Sequence, residues 1–381
     1  MLLFIQMLPR IYDDLEKFLK SGKVLIIYGP RRVGKTTILK NYLKKTKFKF
    51  KLDTGDNIRV GHILSSRDFN EILPYAEGYE LIAIDEAQQI ENIGMGLKII
   101  VDQIPGIRII ATGSSSFDLS NRVGEPLTGR KNTIILYPVS QLELLSIHNK
   151  FDLKQRLEEF LVFGSYPEVV IAKTRQEKIK VIEEIVNSYL LKDILSLEKV
   201  KGSKVLLDLL KLLAFQVGSE VSLNELASNL GIDVKTVGRY LDLLEKSFVI
   251  TKIGGLSRNL RSEVTSKAKY FFLDNGIRNG VILQFQGLDS RDDKGRLWEN
   301  FIVIERMKKR SYKNILASVY FWRTYEGAEI DLVEEKEGKF FGFECKWSVK
   351  KKIKPPKEWL KTYPQAEFKV ITPDNYLDFI T

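Results

Sequence analysis

The stretch that decides the fold is Gly29-Pro-Arg-Arg-Val-Gly34-Lys35-Thr36, which follows the apolar segment Val24–Tyr28. It matches the phosphate-loop pattern G-x-x-x-x-G-K-[S/T], and the residues after it, Thr36–Lys44, are predicted to form a helix. The two glycines let the backbone wrap around a phosphate, with its N–H groups pointing inward, and the helix adds its positive end. The order strand, loop, helix therefore predicts a nucleotide-binding α/β domain.

Each part of this loop has a predicted role. Lys35 places a cation at the β- and γ-phosphates, and Thr36 offers a hydroxyl to Mg²⁺. Arg31 and Arg32 lie inside the loop, where they either clamp a phosphate or are solvated. The residues predicted to contact the nucleotide are Gly29, Pro30, Arg31, Arg32, Val33, Gly34, Lys35, Thr36 and Thr37.

A second buried strand is predicted at Leu81–Asp85, and it ends in two carboxylates. Asp85 emerges at the carboxyl end of the strand, where it can hold Mg²⁺ through water. Glu86 follows directly and is placed to polarise an attacking water. This pair is typical of the additional-strand ATPases rather than of GTPases. The alternative is an apolar strand that ends in a solvated turn without a catalytic role, since it would give the same sequence pattern.

A third strand, Ile107–Thr112, is followed by small polar residues. Among them Ser114 is predicted to orient the γ-phosphate or the attacking water, with a helix-capping turn as the alternative. Arg130 could reach the γ-phosphate in its own chain or from a neighbouring copy. As a lone arginine it could equally be a surface residue.

Composition limits the other possibilities. The 381 residues suggest two or three domains at roughly 150 residues each. The single cysteine, Cys345, excludes an intrachain disulfide framework and a cysteine-based zinc site, and His62 and His148 stand too far apart in sequence to suggest a metal cluster. No apolar run is long enough to span a membrane, and the amino terminus has no basic leader. We therefore expect a cytoplasmic protein without a membrane partner.

The charge balance favours a polyanionic partner. Lys and Arg number 60 and Asp and Glu 49, which gives a net charge of +11. Such an excess favours nucleic acid, nucleotide or an anionic membrane surface, and a Lys-rich surface without a partner is the alternative. The chain is predicted to comprise an ATPase core at 1–139, a helical extension at 140–202, a winged helix-turn-helix at 203–285 and a fourth domain at 286–381.

Apolar residues at helical spacing predict helices at Ile11–Lys20 and Lys154–Phe163. A helix-turn-helix is predicted at Val221–Leu244. In the latter, two short helices flank a turn at Gly231. Leucines and valines of both helices face inward, and the positively charged segment Lys246–Phe272 could form the wing. The residues left on the exposed face of the second helix are Lys235, Thr236 and Arg239. They are predicted to contact DNA, mostly at phosphates, with protein docking as the alternative.

Near the carboxyl end, Glu329–Lys346 alternates polar and apolar residues around a Glu-Gly turn. A two-residue turn at Glu337-Gly338 would pair Lys336 with Lys339 and place Asp331 opposite Glu344, with Lys346 on the same face. Two carboxylates and a lysine suit Mg²⁺-dependent phosphodiester hydrolysis, in which Asp331 and Glu344 hold the metal. A solvated hairpin face is the alternative.

The sequence resembles the archaeal and bacterial AAA-type ATPases of largely unknown function, which carry an ATPase core, a winged-helix segment and a restriction-endonuclease-like domain. The runs that carry the resemblance are Gly29–Thr37, Asp85–Gln88, Thr112–Ser115, Leu127–Arg130, Tyr137–Glu143 and Phe163–Glu168. The resemblance covers nearly the whole chain, although Ser165 replaces a usual glycine. It implies ATP rather than GTP and makes Arg130 a phosphate-sensing arginine. It also makes Asp331…Glu344-x-Lys346 similar to a restriction-like nuclease signature, with Glu299 as the helix carboxylate.

The expected fold class is α/β: a P-loop NTPase parallel sheet with a helical extension, a winged helix and a restriction-endonuclease-like domain. The expected function is Mg²⁺-dependent ATP hydrolysis coupled to nucleic-acid binding, by a nuclease-like region that either cuts DNA or only binds it. The alternative is a STAND-like regulatory switch whose winged helix docks DNA or protein without cleavage. The expected partners are ATP, Mg²⁺ and DNA, and a homo-oligomer is compatible with the sequence.

Overall fold

The computed structural model describes residues 8–114, 126–190, 203–257, 268–349 and 352–381. By backbone contacts the chain divides into two compact units. The first comprises residues up to Pro138 together with Lys246–Phe248, and the second comprises most of the chain from Val139 to Thr381.

The first unit is built on a five-stranded sheet with the order β2-β3-β4-β1-β5. All of its strand pairs are parallel, as the sequence predicts. The strands are β1 Lys23–Tyr28, β2 Phe50–Thr54, β3 Leu81–Asp85, β4 Arg108–Thr112 and β5 Lys131–Ile135. Because β4 lies between β1 and β3, the phosphate-loop strand and the Asp-Glu strand are not neighbours, which is the additional-strand arrangement.

The helices of this unit bury the apolar runs of the sheet. In the described part of the chain before β5, the α-helices are α1 Lys35–Leu43, α2 Ile58–Ser65, α3 Phe69–Ala76 and α4 Ile93–Gln103. The core contains Val24, Ile26, Ile82, Ile84 and Ile109, each fully or almost fully buried. Continuous apolar runs of this kind are typical of parallel strands that are covered on both faces.

Two of the predicted helices differ from the structure. The predicted helix Ile11–Lys20 contains only the short 3₁₀ turn Leu15–Phe18. Upstream of it the chain forms a separate turn, because the Arg10 N–H donates to the Asp13 carboxylate and the Asp13 N–H donates to the Arg10 carbonyl. The predicted helix Lys154–Phe163 is two helices, which meet at Arg156 in a non-helical conformation.

The second unit contains most of the helices. They are α5 Gln141–Leu144, α6 Lys150–Gln155, α7 Leu157–Phe163, α8 Pro167–Ile171, α9 Arg175–Glu184, α10 Ser203–Phe215, α11 Leu223–Leu230, α12 Val234–Lys246, α13 Asn275–Val281, α14 Lys294–Tyr312, α15 Lys357–Thr362 and α16 Tyr376–Ile380. The described residues also contain the π-helical turn Ile185–Leu190 and the 3₁₀ turn Leu288–Ser290, and the first unit contains the 3₁₀ turn Ala87–Gln89.

One seven-stranded sheet runs through this unit, in the order β12-β11-β10-β9-β7-β8-β6. Its strands are β6 Glu220–Val221, β7 Ile250–Gly255, β8 Ala268–Phe272, β9 Ser318–Arg323, β10 Glu329–Lys336, β11 Lys339–Cys345 and β12 Glu367–Ile371. β7 pairs in parallel with β9 through Gly254 opposite Tyr320 and Gly255 opposite Phe321. The small sheet that follows α12 and the carboxyl-terminal sheet are therefore one structure.

Helix α13 is buried along its whole length although three of its seven residues are polar. Asp274 caps its amino end by accepting the Ile277 N–H (3.1 Å). Asn275 donates to the carbonyl of Leu297 (3.0 Å), and Arg278 forms an ion pair with Asp293 (2.5 Å). Buried polar groups are tolerated where they are satisfied in this way, so this helix holds the interior of the unit in one arrangement.

Candidate nucleotide site and carboxylate cluster

The phosphate loop joins β1 to α1, and its two glycines have backbone angles that side chains disfavour. Gly29 has φ 150°, and a Cβ there would lie 2.1 Å from the carbonyl oxygen of Leu136. Gly34 has φ 96° and occupies the N-cap of α1. The close approach at Gly29 and the left-handed turn at Gly34 explain why the loop has glycine at these positions.

Lys35 is the first residue of α1 and is buried. Its ammonium donates to the carbonyl oxygens of Gly29 (2.8 Å) and Pro30 (2.9 Å), both in the same loop. The loop therefore curls around the lysine, and the lysine charge lies inside the loop that is expected to receive the phosphates.

Asp85 connects three elements at the carboxyl edge of the sheet. The Thr36 hydroxyl at the start of α1 donates to Asp85 Oδ2 (2.8 Å), and the Thr112 hydroxyl at the end of β4 donates to Oδ1. The structure thus brings together Thr36 and Asp85, which were predicted from separate motifs. A hydroxyl and a carboxylate are oxygen donors that Mg²⁺ accepts in a nucleotide site, so these residues fit the implied ion.

Glu86 has a constrained backbone just beyond β3. Its φ is 50°, in the left-handed region, and its N–H donates to the Thr112 hydroxyl (3.2 Å). A Cβ on Gly55 would lie 2.2 Å from the Glu86 carbonyl oxygen, so the backbone at Gly55 passes very close to Glu86. The Gln88 amide donates to the Glu86 carboxylate. These contacts fix both the backbone and the side chain of Glu86.

Arg10 is a loop contact that the sequence reasoning missed. It is buried, and its guanidinium donates to the carbonyl oxygens of Val33, inside the loop, and Tyr137 (2.6 Å). Arg10 thereby ties the phosphate loop to the segment that follows β5. Arg10 lies upstream of the recognisable motifs, so no sequence pattern predicts that it contacts the loop.

The structure does not bring Arg130 to the loop of its own chain. The Val24 N–H donates to the Arg130 carbonyl (2.8 Å), which places Arg130 beside the amino end of β1. The phosphate loop follows the other end, at Tyr28, about 13 Å along the strand. The Arg130 side chain instead pairs with Asp102 near the end of α4 (2.5 Å). Contact with a nucleotide bound to a neighbouring copy stays a prediction.

The remaining predicted residues of this site lie at the same edge of the sheet. Ser114 is buried just after β4, and Gly113 before it donates to Ile27 at the end of β1 (3.0 Å). Thr37 is exposed on the first turn of α1, and Arg31 and Arg32 are half-buried in the loop. The roles predicted for them stay predictions.

In the second unit, the predicted hairpin is confirmed. Lys336 pairs with Lys339 around Glu337-Gly338, and the pairing continues to Leu332 opposite Phe343. Both turn residues have positive φ (48° and 76°), as a tight two-residue hairpin requires. One residue further, the Cys345 N–H donates to Asp331 Oδ2 (2.8 Å). Asp331 thus lies beside the Glu344–Lys346 segment.

The four residues predicted for a nuclease site do lie in one cluster, but at its centre is Lys269 of β8. The Lys269 ammonium contacts carboxylate oxygens of Glu299 (3.2 Å), Glu329 and Asp331 (3.9 Å). Lys346 pairs with Glu344 at 2.6 Å. The sequence places Lys269 in the predicted wing segment and Glu329 in the predicted hairpin, and it predicts no chemical role for either residue.

Burial perturbs the titration of this cluster. It raises the pKa of Glu299 to about 8, and the charge of Asp331 adds to the effect. The pKa of Glu344 is raised for the same two reasons. Burial opposes the charge of Lys269, but the surrounding carboxylates, Glu299 first, raise its pKa above the usual lysine value. Lys269 therefore stays an ammonium at neutral pH.

The cluster does not fit the divalent metal that a nuclease site would need. Among the residues that the structure describes, no three His, Cys, Asp or Glu side chains are arranged to hold a metal ion. Glu344 Oε2 is buried without a hydrogen-bond partner in the described part of the chain, but Asp331 is engaged by the Cys345 N–H and Lys269. One unpartnered oxygen does not make a metal site, since Mg²⁺ demands near-octahedral coordination.

The exposed face predicted for helix α12 is present. Lys235 and Arg239 are exposed and Thr236 is half-buried, whereas Val237 and Leu241 are buried beneath them. Thr236 caps the helix start together with Asp233, to which it donates through both its N–H (2.9 Å) and its hydroxyl (2.7 Å). The wing segment falls partly outside the described residues, at 258–267.

Comparison with known proteins assigns the first unit. Residues 21–145 match the model of an AAA domain. This match spans the phosphate loop, Asp85, Glu86 and Arg130, and it indicates an ATPase-type nucleotide-binding domain. Residues 154–290 and 294–376 match two domains of unknown function, DUF8612 and DUF4143.

Longer relatives exist in bacteria and archaea, and those compared are uncharacterized proteins. One from Mycobacterium tuberculosis is 26% identical over 87% of this chain and 72% of its own. One from Methanocaldococcus jannaschii is 25% identical over 80% and 71%, and one from Haemophilus influenzae is 28% identical over 78% and 77%.

One further observation concerns membranes. In the described parts of the chain, no helix combines the length and the apolar character that crossing a bilayer requires.

Proposed function

We propose that this protein is an Mg²⁺-dependent ATPase. The observation that carries the proposal is the Thr36–Asp85 hydrogen bond (2.8 Å), which joins the end of the phosphate loop to the end of β3. Thr36 and Asp85 would hold Mg²⁺, which would neutralise charge on the transferred phosphoryl group. Lys35 and the loop N–H groups would bind the phosphates, and Glu86 would orient the attacking water. The test is phosphate release from Mg²⁺-ATP by the full chain.

We further propose that Arg130 acts on the nucleotide of a neighbouring copy in a homo-oligomer. Its place beside the amino end of β1, about 13 Å from its own loop, supports a contact in trans. An arginine that contacts the transferred phosphoryl group mainly in the transition state stabilises that state more than bound ATP. Its loss should therefore lower turnover more than ATP affinity.

The Arg130→Ala variant should lower kcat by about 100-fold with ATP affinity within about threefold of wild type. Asp102→Asn is the matched control, because it breaks the same ion pair and keeps the arginine. Mixing Arg130→Ala with Glu86→Gln protein should restore part of the activity, since one chain supplies the arginine and the other the intact site. Equal losses in Arg130→Ala and Asp102→Asn, or no recovery on mixing, would show a structural role only.

We also propose that residues 203–285 form a winged helix that binds DNA. The order α10, β6, α11, α12, β7, β8, with β8 between β6 and β7 in the sheet, supports this assignment. Lys235 and Arg239 on the exposed face of α12 are cations within reach of a phosphate backbone. The net charge of +11 is consistent with such a partner.

Replacing Lys235 and Arg239 together with alanine should weaken duplex DNA binding about tenfold near 0.1 M salt. The slope of log affinity against log salt should fall by about 2, because two phosphate contacts are lost. Fluorescence anisotropy over a salt series measures both quantities. The control replaces two exposed lysines of α15, Lys357 and Lys361, with alanine. Equal effects in both pairs would mean that only net charge matters and would refute a specific face.

The second candidate is a STAND-like regulatory switch in which ATP sets a conformational state and no nucleic acid is cut. The observation that favours it over an ATP-coupled nuclease is the Lys269 ammonium among the carboxylates of the cluster. Slow ATP turnover with nucleotide-dependent oligomerisation would support the switch. Metal-dependent DNA cleavage would support the nuclease.

A further inference from the structure

The carboxylate cluster already contains a cation. The Lys269 side chain is 2% exposed, and its ammonium contacts three carboxylates from two different elements: Glu299 of α14, and Glu329 and Asp331 of β10. A lysine ammonium is ordinarily among the most exposed groups of a protein and is buried only when it is paired. Here the pairing is threefold.

The position of this ammonium is fixed by the fold. Lys269 lies on β8, paired with Ile253 of β7 and with Glu220 of β6, and its ammonium lies 5.4 Å from the ring centre of Phe321 on β9. Strands on both sides hold the backbone of Lys269, and its side chain is 2% exposed. The charge therefore lies inside the cluster.

The cluster is also covered from the side of α10 and β6. A Cβ on Gly218, between these two elements, would lie 2.9 Å from a carboxylate oxygen of Glu299. The side chains of Glu299 and Asp331 are 13% and 10% exposed, whereas Glu329 and Lys346 lie at the edge of the cluster, 31% and 40% exposed. The backbone at Gly218 thus limits access to the buried carboxylates.

The Lys269 ammonium opposes the binding of a divalent cation at this place. A metal ion would need carboxylate oxygens at 2.0–2.6 Å, and Lys269 already contacts one oxygen each of Glu299, Glu329 and Asp331. It would also stand within a few ångströms of a positive charge, where the interior screens repulsion poorly. Both effects oppose binding of Mg²⁺ or Mn²⁺ while the lysine is in place.

We propose that Lys269 is a built-in cation that replaces a divalent metal in this cluster and excludes one, so that the carboxyl-terminal region does not cleave DNA by a metal-dependent route. Asp331 and Glu299 then serve to hold β8, β10 and α14 together. This inference is independent of ATP hydrolysis and of DNA binding, since it concerns the occupancy of the cluster alone.

The test is Mn²⁺ binding to the full chain without nucleotide, followed by the electron paramagnetic resonance signal of free Mn²⁺. All proteins carry Asp85→Asn, so that the nucleotide site contributes no metal. The background protein should bind Mn²⁺ weakly and with the same affinity after Asp331→Asn. Lys269→Met should raise Mn²⁺ affinity at least about 30-fold, and adding Asp331→Asn should abolish the gain. Lys252→Met, an exposed lysine on β7, is the matched control.

Two results would overturn the proposal. One is Mn²⁺ binding by the background protein that Asp331→Asn weakens, which would mean that the metal and Lys269 coexist. The other is a folded Lys269→Met protein with no gain in affinity. If Lys269→Met fails to fold, the comparison of the background with Asp331→Asn decides by itself.

DNA cleavage gives a second readout. Linear, nicked and single-stranded DNA should stay intact with Mg²⁺ or Mn²⁺, with and without ATP. Cleavage by the wild-type chain that is lost in both Asp331→Ala and Lys346→Ala would show a working metal site and contradict the proposal.

Discussion

Replacing Lys35 with alanine should lower the affinity for Mg²⁺-ATP by at least about 100-fold, or roughly 2.7 kcal/mol. Lys35 is the buried cation inside the phosphate loop, so its loss removes a charge-assisted contact to the phosphates and leaves their charge less compensated. Isothermal titration calorimetry with ATP measures the change. Lys40→Ala, an exposed lysine on the same helix, should bind as wild type does.

The structure adds a requirement to this experiment. Because the Lys35 ammonium also satisfies the carbonyls of Gly29 and Pro30, the variant loses two contacts of the empty loop. Its melting temperature should therefore be compared with that of the Lys40→Ala control. Unaltered ATP affinity in a folded Lys35→Ala protein would refute the assignment of the loop as a nucleotide site.

Replacing Glu86 with glutamine should reduce kcat for ATP hydrolysis by about 10²- to 10⁴-fold and leave ATP affinity within about threefold. Glutamine keeps the size of the side chain and can still contact Gln88, but it cannot polarise a water as a carboxylate does. Phosphate release and ATP binding, measured on the same protein, separate the two effects. Glu91→Gln, exposed and nearby in sequence, is the control.

An equal loss of binding and turnover in Glu86→Gln would contradict a role in the chemical step. It would point instead to collapse of the left-handed turn at Glu86, which the Thr112 hydroxyl and the close approach of Gly55 hold in place. A fall in turnover alone would identify Glu86 as the residue that acts on water.

The nucleotide site was predictable because its information is local. The loop, β1 and β3 each carry their own sequence signal, and parallel strands bring their carboxyl ends to one edge of the sheet, so Thr36 and Asp85 had to meet. The hairpin of β10 and β11 was predictable for a similar reason, since the Glu337-Gly338 turn sets the register.

The remaining features depend on long-range packing. Lys269 lies in a positively charged segment, and this composition predicts an exposed wing. The pairing of β7 with β9, which no local sequence signal reveals, brings Lys269 to Glu299 and Asp331. Arg10 reaches Val33 and Tyr137 from a position just before the predicted helix Ile11–Lys20, where no sequence motif lies. Arg130 carries a motif, but its distance from the loop follows from the sheet register alone.

The parallel pairing of β7 with β9 has a consequence for how this architecture can vary among relatives. The two carboxyl-terminal domain matches end at residue 290 and begin at residue 294, yet backbone hydrogen bonds cross that boundary within one sheet. A chain divided there would leave β7 and β9 as open edges, which invite aggregation. If one of the two segments of this chain were replaced by the corresponding segment of a relative, the new segment would have to provide the same strand edge for pairing.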